Sequence, residues 1–527
     1  MAQFITTENG AVGHATSGSK CLDFFSLPTR GYDNENLLSL FDAAFAEDPR
    51  TTLQVLYHLR DPRNGKGEKE LTLVLLEHML EHYPNNYKSN LSNIVSQYGC
   101  YKMLCELYAR DYEKRKKSAN LAPLSLLASR LSEEDPLAAK WAPSEHGQFN
   151  HKKNGYQATK LCQILNLTRT NKEENQRPDY GAYRKLLTPL RTKANIVEQL
   201  CCSNRWDDIE FSKVAAKAMS ILSKKAFPGH CSDKFGEWKA AVAKGKAEVK
   251  TQGLQPHEIV RSVRSDRSGE TDVLELQWKQ MVQKVKAAGN LKNAIALSDV
   301  SGSMYNGGSP EPINVSIALG VFISEVCGTG KIMTFSNEPK VVDVRGTTLK
   351  EKINSVAHDC MGYNTDFVEA LRSLLSYAQL FSLSPEDIPK YIFVLSDMEF
   401  DEADVTNRER NPHDVVKADY IAAGYSLPKI IYWNLACRSN ALPVSMKDEN
   451  TALVSGFSQM ILKAFMELDP KDAFDPLTIM RKILEPYTPN VCEECKPKID
   501  VSTINNQVSA WDTTQPDSTL DIELPVR

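Results

Sequence analysis

Over the first 290 positions, apolar residues recur at spacings of three and four between polar ones, the period of amphipathic helices that bury one face. Leu53, Val55, Leu56 and Leu59 form one such stripe, and Leu71, Leu73, Leu75, Leu76, Met79 and Leu80 form the next. Leu91, Ile94, Val95, Met103, Leu104 and Leu107 continue the pattern beyond Pro84. The run Asp61-Pro62-Arg63-Asn64-Gly65 breaks the first two apart, because proline and glycine end helices. Further helices are predicted near 121–130, 156–166, 180–190, 196–201, 212–224 and 272–288. So many short amphipathic helices with few strand signals pack most simply as stacked pairs. An α-helical repeat domain is therefore predicted over residues 20–290, HEAT-like and compatible with ring closure, although no fixed period recurs.

The pattern switches at Asn290. Leu291–Asp299, Lys331–Ser336, Tyr391–Asp397 and Ile430–Leu435 are short, apolar and rich in β-branched or aromatic residues. Helical stretches lie between and beyond them, at 312–327, 349–358, 367–380, 415–425 and 455–466. Alternation of strand and helix predicts an α/β, Rossmann-like domain over 291–470, with a parallel sheet covered on both faces. Function in such a sheet is expected at the carboxyl ends of its strands. Residues 1–19 form an N-terminal segment and 471–527 a C-terminal extension. One helix is predicted there near 477–484, with an extended or poorly ordered tail from 499.

Composition narrows the class. With 42% hydrophobic and 25% charged residues, a wholly disordered or membrane-embedded chain is excluded. The longest apolar run, Ile317–Cys327, contains Ser324 and Glu325 and falls short of the roughly 20 residues that cross a bilayer. The N-terminus lacks the basic start and apolar stretch of a secretory signal, so a cytosolic or nuclear location is expected. Twelve cysteines are too few for a disulfide scaffold and are expected as thiols. Cys492 and Cys495 form a CxxC, but without a second ligand pair a thiol pair is favoured over zinc.

Charge becomes informative when the chain is divided. Residues 1–290 carry 42 basic and 34 acidic side chains, net +8, whereas 291–527 carry 21 and 33, net −12. Within 101–250 the balance is 28 against 17, net +11. An anionic partner, RNA in particular, is compatible with that field. Candidate contacts are Lys114, Arg115, Lys116, Lys117, Arg184, Lys185 and Arg191, set against the plainer alternative of solvated helix faces.

The most specific chemistry is Asp299-Val300-Ser301-Gly302-Ser303 at the end of the first predicted strand. Two hydroxyls two residues apart in a tight turn can face one point, and the aspartate attracts a hard cation. Thr365, just before a predicted helix, and Asp397, ending a later strand, would reach the same sheet edge. Two carboxylates and three hydroxyls suit a divalent cation, Mg²⁺ foremost, with Mn²⁺ or Ca²⁺ as alternatives, and leave room for water or an external ligand. Asp299, Ser301, Ser303, Thr365 and Asp397 together resemble the metal-ion-dependent adhesion site of von Willebrand factor A domains. That resemblance implies direct metal contact from the three hydroxyls, water-mediated contact from the aspartates, and completion of the shell by a carboxylate of an acidic protein partner.

The helical half carries a second resemblance. Leu59–Glu68, Ala139–Glu145, Tyr183–Leu187 and Pro256–Val260 are similar to an uncharacterised TROVE-like plus von Willebrand A family of plants and viruses, itself a remote relative of the Ro autoantigen. The relation to Ro implies binding of structured or misfolded small RNA, without any RNA-contacting residue that aligns onto this chain. Catalysis is not expected. Ser301 stands where an aspartyl-phosphate enzyme would place its second carboxylate, Asn64-Gly65-Lys66-Gly67 lacks P-loop spacing, and HExxH is absent. His257 is read as a structural hydrogen-bonding residue. The expectation is thus a non-enzymatic RNA-binding protein with a divalent-cation adhesion site; the alternative is a metal-dependent protein–protein scaffold without RNA binding.

Overall fold

The computed structural model describes residues 4–493 apart from 171–175, 267–270, 290, 292, 306–309, 336–338, 360–365, 385, 403–409, 437–439 and 469–471. Most of the described residues are helical, and local capping sets where helices begin. Asp33, Asp48, Asp135 and Asp475 each accept a backbone N–H of the first turn, from Asn36, Arg50, Leu137 and Thr478. Proline opens the last three of these helices, where its missing N–H costs nothing. The stretches predicted near 121–130, 180–190 and 272–288 appear as Ala122–Ser132, Tyr180–Lys193 and Asp272–Lys286. The tail from 499 and Cys495 lie outside the described residues; the helix ahead of them is Pro476–Leu484.

By its internal packing the chain divides into two compact units. One comprises Met1–Leu75, Gln97–Gly99 and Ile196–Val491; the other comprises Leu76–Ser96, Cys100–Asn195 and Cys492–Arg527. In the first unit, β1 (Phe4–Thr6) pairs antiparallel with β2 (Val12–His14). In the second, β3 (Thr168–Thr170) pairs antiparallel with β4 (Gln176–Pro178).

The first unit also holds a six-stranded sheet built from β5 (Ala294–Ser298), β6 (Lys331–Thr334), β7 (Lys340–Asp343), β8 (Tyr391–Ser396), β9 (Lys429–Asn434) and β10 (Thr451–Ser455). Its order is β10-β9-β8-β5-β6-β7. Every pairing is parallel except β6 with β7, so the predicted all-parallel sheet is corrected to a mixed one. Both strands missing from the sequence prediction lie at the edges. β7 is a four-residue strand with lysine and aspartate at its ends, the short charged form that edge strands take. β10 is buried throughout, but its alanine and serine positions give neither alternation nor a long apolar run.

The central helix Pro312–Cys327 is buried around most of its circumference because the sheet and the helices Pro256–Ser265 and Asp272–Lys286 all pack on it. Trp278 meets Phe322 edge-on and donates its indole N–H to Glu325 at 3.0 Å. Helix and sheet approach so closely at Gly320 that a Cβ there would lie 2.5 Å from Ser298 Oγ and 3.2 Å from Ile332 Cδ1. Gly320→Ala should therefore lower stability by about 1–3 kcal/mol through overpacking, against a helix-propensity gain of about 1 kcal/mol. Denaturant midpoints check this; an unchanged or raised midpoint would show that the helix can retreat from β5. No helix among the described residues is long and apolar enough to cross a membrane. The described cysteines are free thiols.

Candidate functional site

β5 and β8 are adjacent and parallel, with Ser298 opposite Leu395, so the residues that follow each strand leave the sheet at the same edge. Asp299 and Asp397 are those residues, and both are completely buried. The Asp299 backbone N–H donates to Leu395 O at 3.0 Å, which holds the turn against β8. Ser396 Oγ donates to Asp299 Oδ2 at 2.7 Å, and Ser301 N donates to Asp299 Oδ1 at 3.0 Å. The Ser301 and Ser303 hydroxyls lie 2.9 Å apart. On the other side, Asp397 Oδ1 accepts the Glu399 N–H at 3.2 Å, while Asp397 Oδ2 and Ser298 Oγ have no hydrogen-bond partner among the described residues.

The electrostatics follow from burial. Loss of solvent pushes the Asp299 carboxyl up to about 7, the neighbouring charge of Asp397 pushes the same way, and hydrogen bonds from Ser396 and Ser301 oppose both. Two carboxylates confined in a dry site repel each other, and a cation between them would relieve both the repulsion and the desolvation. The donor set is carboxylate and hydroxyl oxygen: no group of three His, Cys, Asp or Glu side chains that could hold a metal occurs among the described residues. Oxygen-only donors of this kind fit a hard divalent cation.

The loop after Asp397 is held from two directions. Met398 adopts φ 65°, a left-handed conformation that side chains rarely take, and so turns the chain sharply at the site. Phe400 packs against Phe367 at 5.0 Å, the first residue of the helix Phe367–Leu380, which Asp366 caps by accepting the Glu369 N–H. Thr365 itself lies outside the described residues. From the N-terminal segment, Thr7 Oγ1 donates to Phe400 O at 2.9 Å, Glu8 N to Glu399 Oε2 at 2.6 Å, and Asn9 Nδ2 to Glu399 O at 2.7 Å. Sequence reasoning misses this brace, since nothing in Thr7–Asn9 announces a partner 390 positions away. It also misses Ser396, although a hydroxyl beside the strand-ending aspartate is a legible signal.

The basic candidates occupy different environments. Lys114 pairs with Glu77 at 2.6 Å, Arg115 with Glu81 at 2.8 Å and Asp111 at 3.1 Å, and the Lys116 ammonium sits 5.7 Å from the centre of the Tyr112 ring. Lys117 and Lys185 are exposed, and Arg184 pairs with Glu145. Arg191 is different: its Nε and Nη2 donate to Ala139 O and Ala142 O, each at 2.8 Å, and burial pulls its pKa down. That guanidinium ties the end of the helix Pro136–Trp141 to the helix Tyr180–Lys193 and is committed to structure. His257 is also structural, but by packing: it is buried, meets Phe457 edge-on at 5.4 Å, and leaves Nδ1 without a hydrogen bond among the described residues.

Comparison with known proteins supplies the lineage. The chain belongs to the family described as Domain of unknown function (DUF2828), whose family model matches residues 7–135 and 124–291, more than half its length. Residues 293–497 match a second family, described as Domain of unknown function (DUF7788). The chain is similar to the "Uncharacterized protein L728" of Acanthamoeba polyphaga mimivirus, at 29% identity over 542 residues, covering 96% of this chain and 91% of that protein. It is also similar to the crystal structure of the Deinococcus radiodurans Ro (RSR) protein, at 13% identity and a TM-score of 0.37, covering 89% of this chain and 100% of that one.

Proposed function

We propose that this chain is a non-enzymatic binding protein whose sheet edge holds a divalent cation that joins it to an acidic protein partner. The observation that carries this is the pair Asp299 and Asp397, completely buried at the ends of adjacent parallel strands, with Asp397 Oδ2 lacking any hydrogen bond among the described residues. Asp299, Ser301, Ser303 and Asp397 would hold the ion, and the resemblance to von Willebrand A domains adds Thr365. Mg²⁺ suits the all-oxygen donors best, with Mn²⁺ and Ca²⁺ as alternatives. When bound, the cation offsets the two carboxylates and offers a coordination position to an external carboxylate. In this view the six-stranded sheet with its helices is a von Willebrand A-like domain and the helical segments are a HEAT-like array. A thermal-unfolding titration with Mg²⁺ tests the site. The melting temperature should rise with Mg²⁺, fall back with chelator, and fail to respond in Asp299→Ala; an Asp299→Ala protein that responds like wild type would remove the assignment.

A second function, RNA binding of a Ro-like kind, is favoured by the net charge of +11 over residues 101–250 together with the exposure of Lys114, Lys116, Lys117 and Lys185. Contacts to phosphates release counterions, so the affinity should fall steeply with salt. A gel shift that no added salt weakens, or no shift at all, argues for the metal-dependent scaffold acting without RNA.

A further inference from the structure

We propose that an arginine-lined hollow at the β3–β4 hairpin binds phosphodiester groups of single-stranded RNA; this rests on the RNA-binding function proposed above and names its site. The hollow, of about 450 Å³, is open to solvent and lined by Arg169, Thr170, Arg177, Pro178, Tyr180, Gly181 and Arg184, with no carboxylate among these described residues. Arg169 and Arg177 are direct register partners across the antiparallel pair. Like charges placed opposite each other destabilise a two-stranded ribbon, which is already marginal in water, so this pairing has no structural benefit to offer. An anion lying across both guanidinium groups converts that repulsion into attraction.

The surrounding geometry keeps the cations at the surface. Asp179, the N-cap of the helix Tyr180–Lys193, accepts from Arg169 Nη2 at 2.5 Å and orients it across the helix start. Gly181 leaves room for this, since a Cβ there would lie 2.9 Å from Arg169 Nη2. Arg184, ion-paired with Glu145, follows one turn later, and Tyr180 presents a partly buried ring whose hydroxyl is anchored to Thr159 at 2.8 Å. Arginine forks match phosphate oxygens in pairs, and an anchored aromatic ring offers a face for an unstacked base. A protein partner fits less well, because a protein–protein interface needs an apolar centre and, among the described residues, this lining offers only Pro178 and the Tyr180 ring as apolar surface. None of these three arginines is needed to fill a core, as each is exposed.

The test uses the full chain and a fluorescein-labelled oligouridylate, with anisotropy followed across a salt series. Arg169→Gln/Arg177→Gln/Arg184→Gln should weaken binding at least about tenfold and reduce the slope of log affinity against log salt by about 2, at roughly 0.7 per lost phosphate contact. Arg177→Glu alone, which touches no helix cap, should weaken binding in the same direction with a melting temperature no lower than that of wild type. Lys116→Gln/Lys117→Gln/Lys185→Gln should cost less affinity than the arginine triple. If the arginine variants bind as wild type does, the hollow is not the site while RNA binding stands. If wild type shows no salt-sensitive binding, the RNA function and this site both fall. Tighter binding of polyglutamate than of oligouridylate would replace the phosphodiester by an acidic peptide and overturn the proposal.

Discussion

Lys66→Met should lower the unfolding free energy by roughly 3 kcal/mol, although the two side chains are of similar length. Lys66 is 1% exposed, among the largest fully buried side chains of the protein. Its Nζ donates to Phe25 O at 2.5 Å, Pro28 O at 3.2 Å and Ser455 Oγ at 2.6 Å, and so fastens the end of the helix Lys20–Ser26 to β10. Gly456, at φ 108°, lies against the stem of the lysine, since a Cβ added there would be 3.3 Å from Lys66 Cγ. Methionine would keep the packing but leave buried carbonyl oxygens without their donor, and the Ser455 hydroxyl can serve only one of Phe25 O and Pro28 O at a time.

The pH dependence of that loss is a sharper test. Burial pulls the Lys66 pKa down to about 7, with Glu68 opposing, against 10.5 for the unfolded chain. Between those values the unfolded state binds the extra proton, so raising the pH favours the folded state. Wild-type stability should therefore gain on that of Lys66→Met between pH 7 and 9, by at most about 1.4 kcal/mol per pH unit. Guanidinium unfolding at the two pH values measures this. A constant difference would show that three oxygen acceptors and Glu68 keep the ammonium charged in the folded state throughout.

Asp397→Asn should have opposite effects with and without metal. In chelator, the variant removes one of two adjacent buried charges and should be more stable than wild type by about 2 kcal/mol. In Mg²⁺, wild type should gain about 2.7 kcal/mol when the ion stands at 100 times its dissociation constant, and the variant should gain little. The two unfolding curves therefore exchange order on adding the cation. A variant less stable than wild type in chelator would mean that Asp299 and Asp397 are under no charge stress, and the reason for a cation at this edge would go with it.

Much of the candidate centre was legible along the chain because its parts are local. Asp299, Ser301 and Ser303 occupy one turn, and Asp397 ends a strand whose apolar run is unmistakable. Ser396 was legible in principle, as a hydroxyl beside the strand-ending aspartate, but the Thr7–Asn9 brace was not, because a polar N-terminal segment looks the same whether or not a partner awaits it. The arginines of the β3–β4 hairpin were hidden for a related reason: Arg169 and Arg177 lie eight positions apart with no basic run between them, and only the strand register sets them opposite each other. Arg191, which does stand in a basic run, is held by two backbone carbonyls that no local pattern reveals.

The three-and-four spacing of apolar residues specifies many of the helices, though not Lys20–Ser26, Asn34–Glu47 or Ser232–Ala243, and buried apolar runs specify four of the six sheet strands. These are properties of neighbours, set by backbone geometry within a few residues. Tertiary structure alone decided the antiparallel edge of the sheet, the strand Thr451–Ser455, and the grouping of Met1–Leu75 with Ile196–Val491 in one compact unit. Those depend on which surfaces exclude water together, and side chains hundreds of positions apart carry no mark of that until the chain has closed on itself.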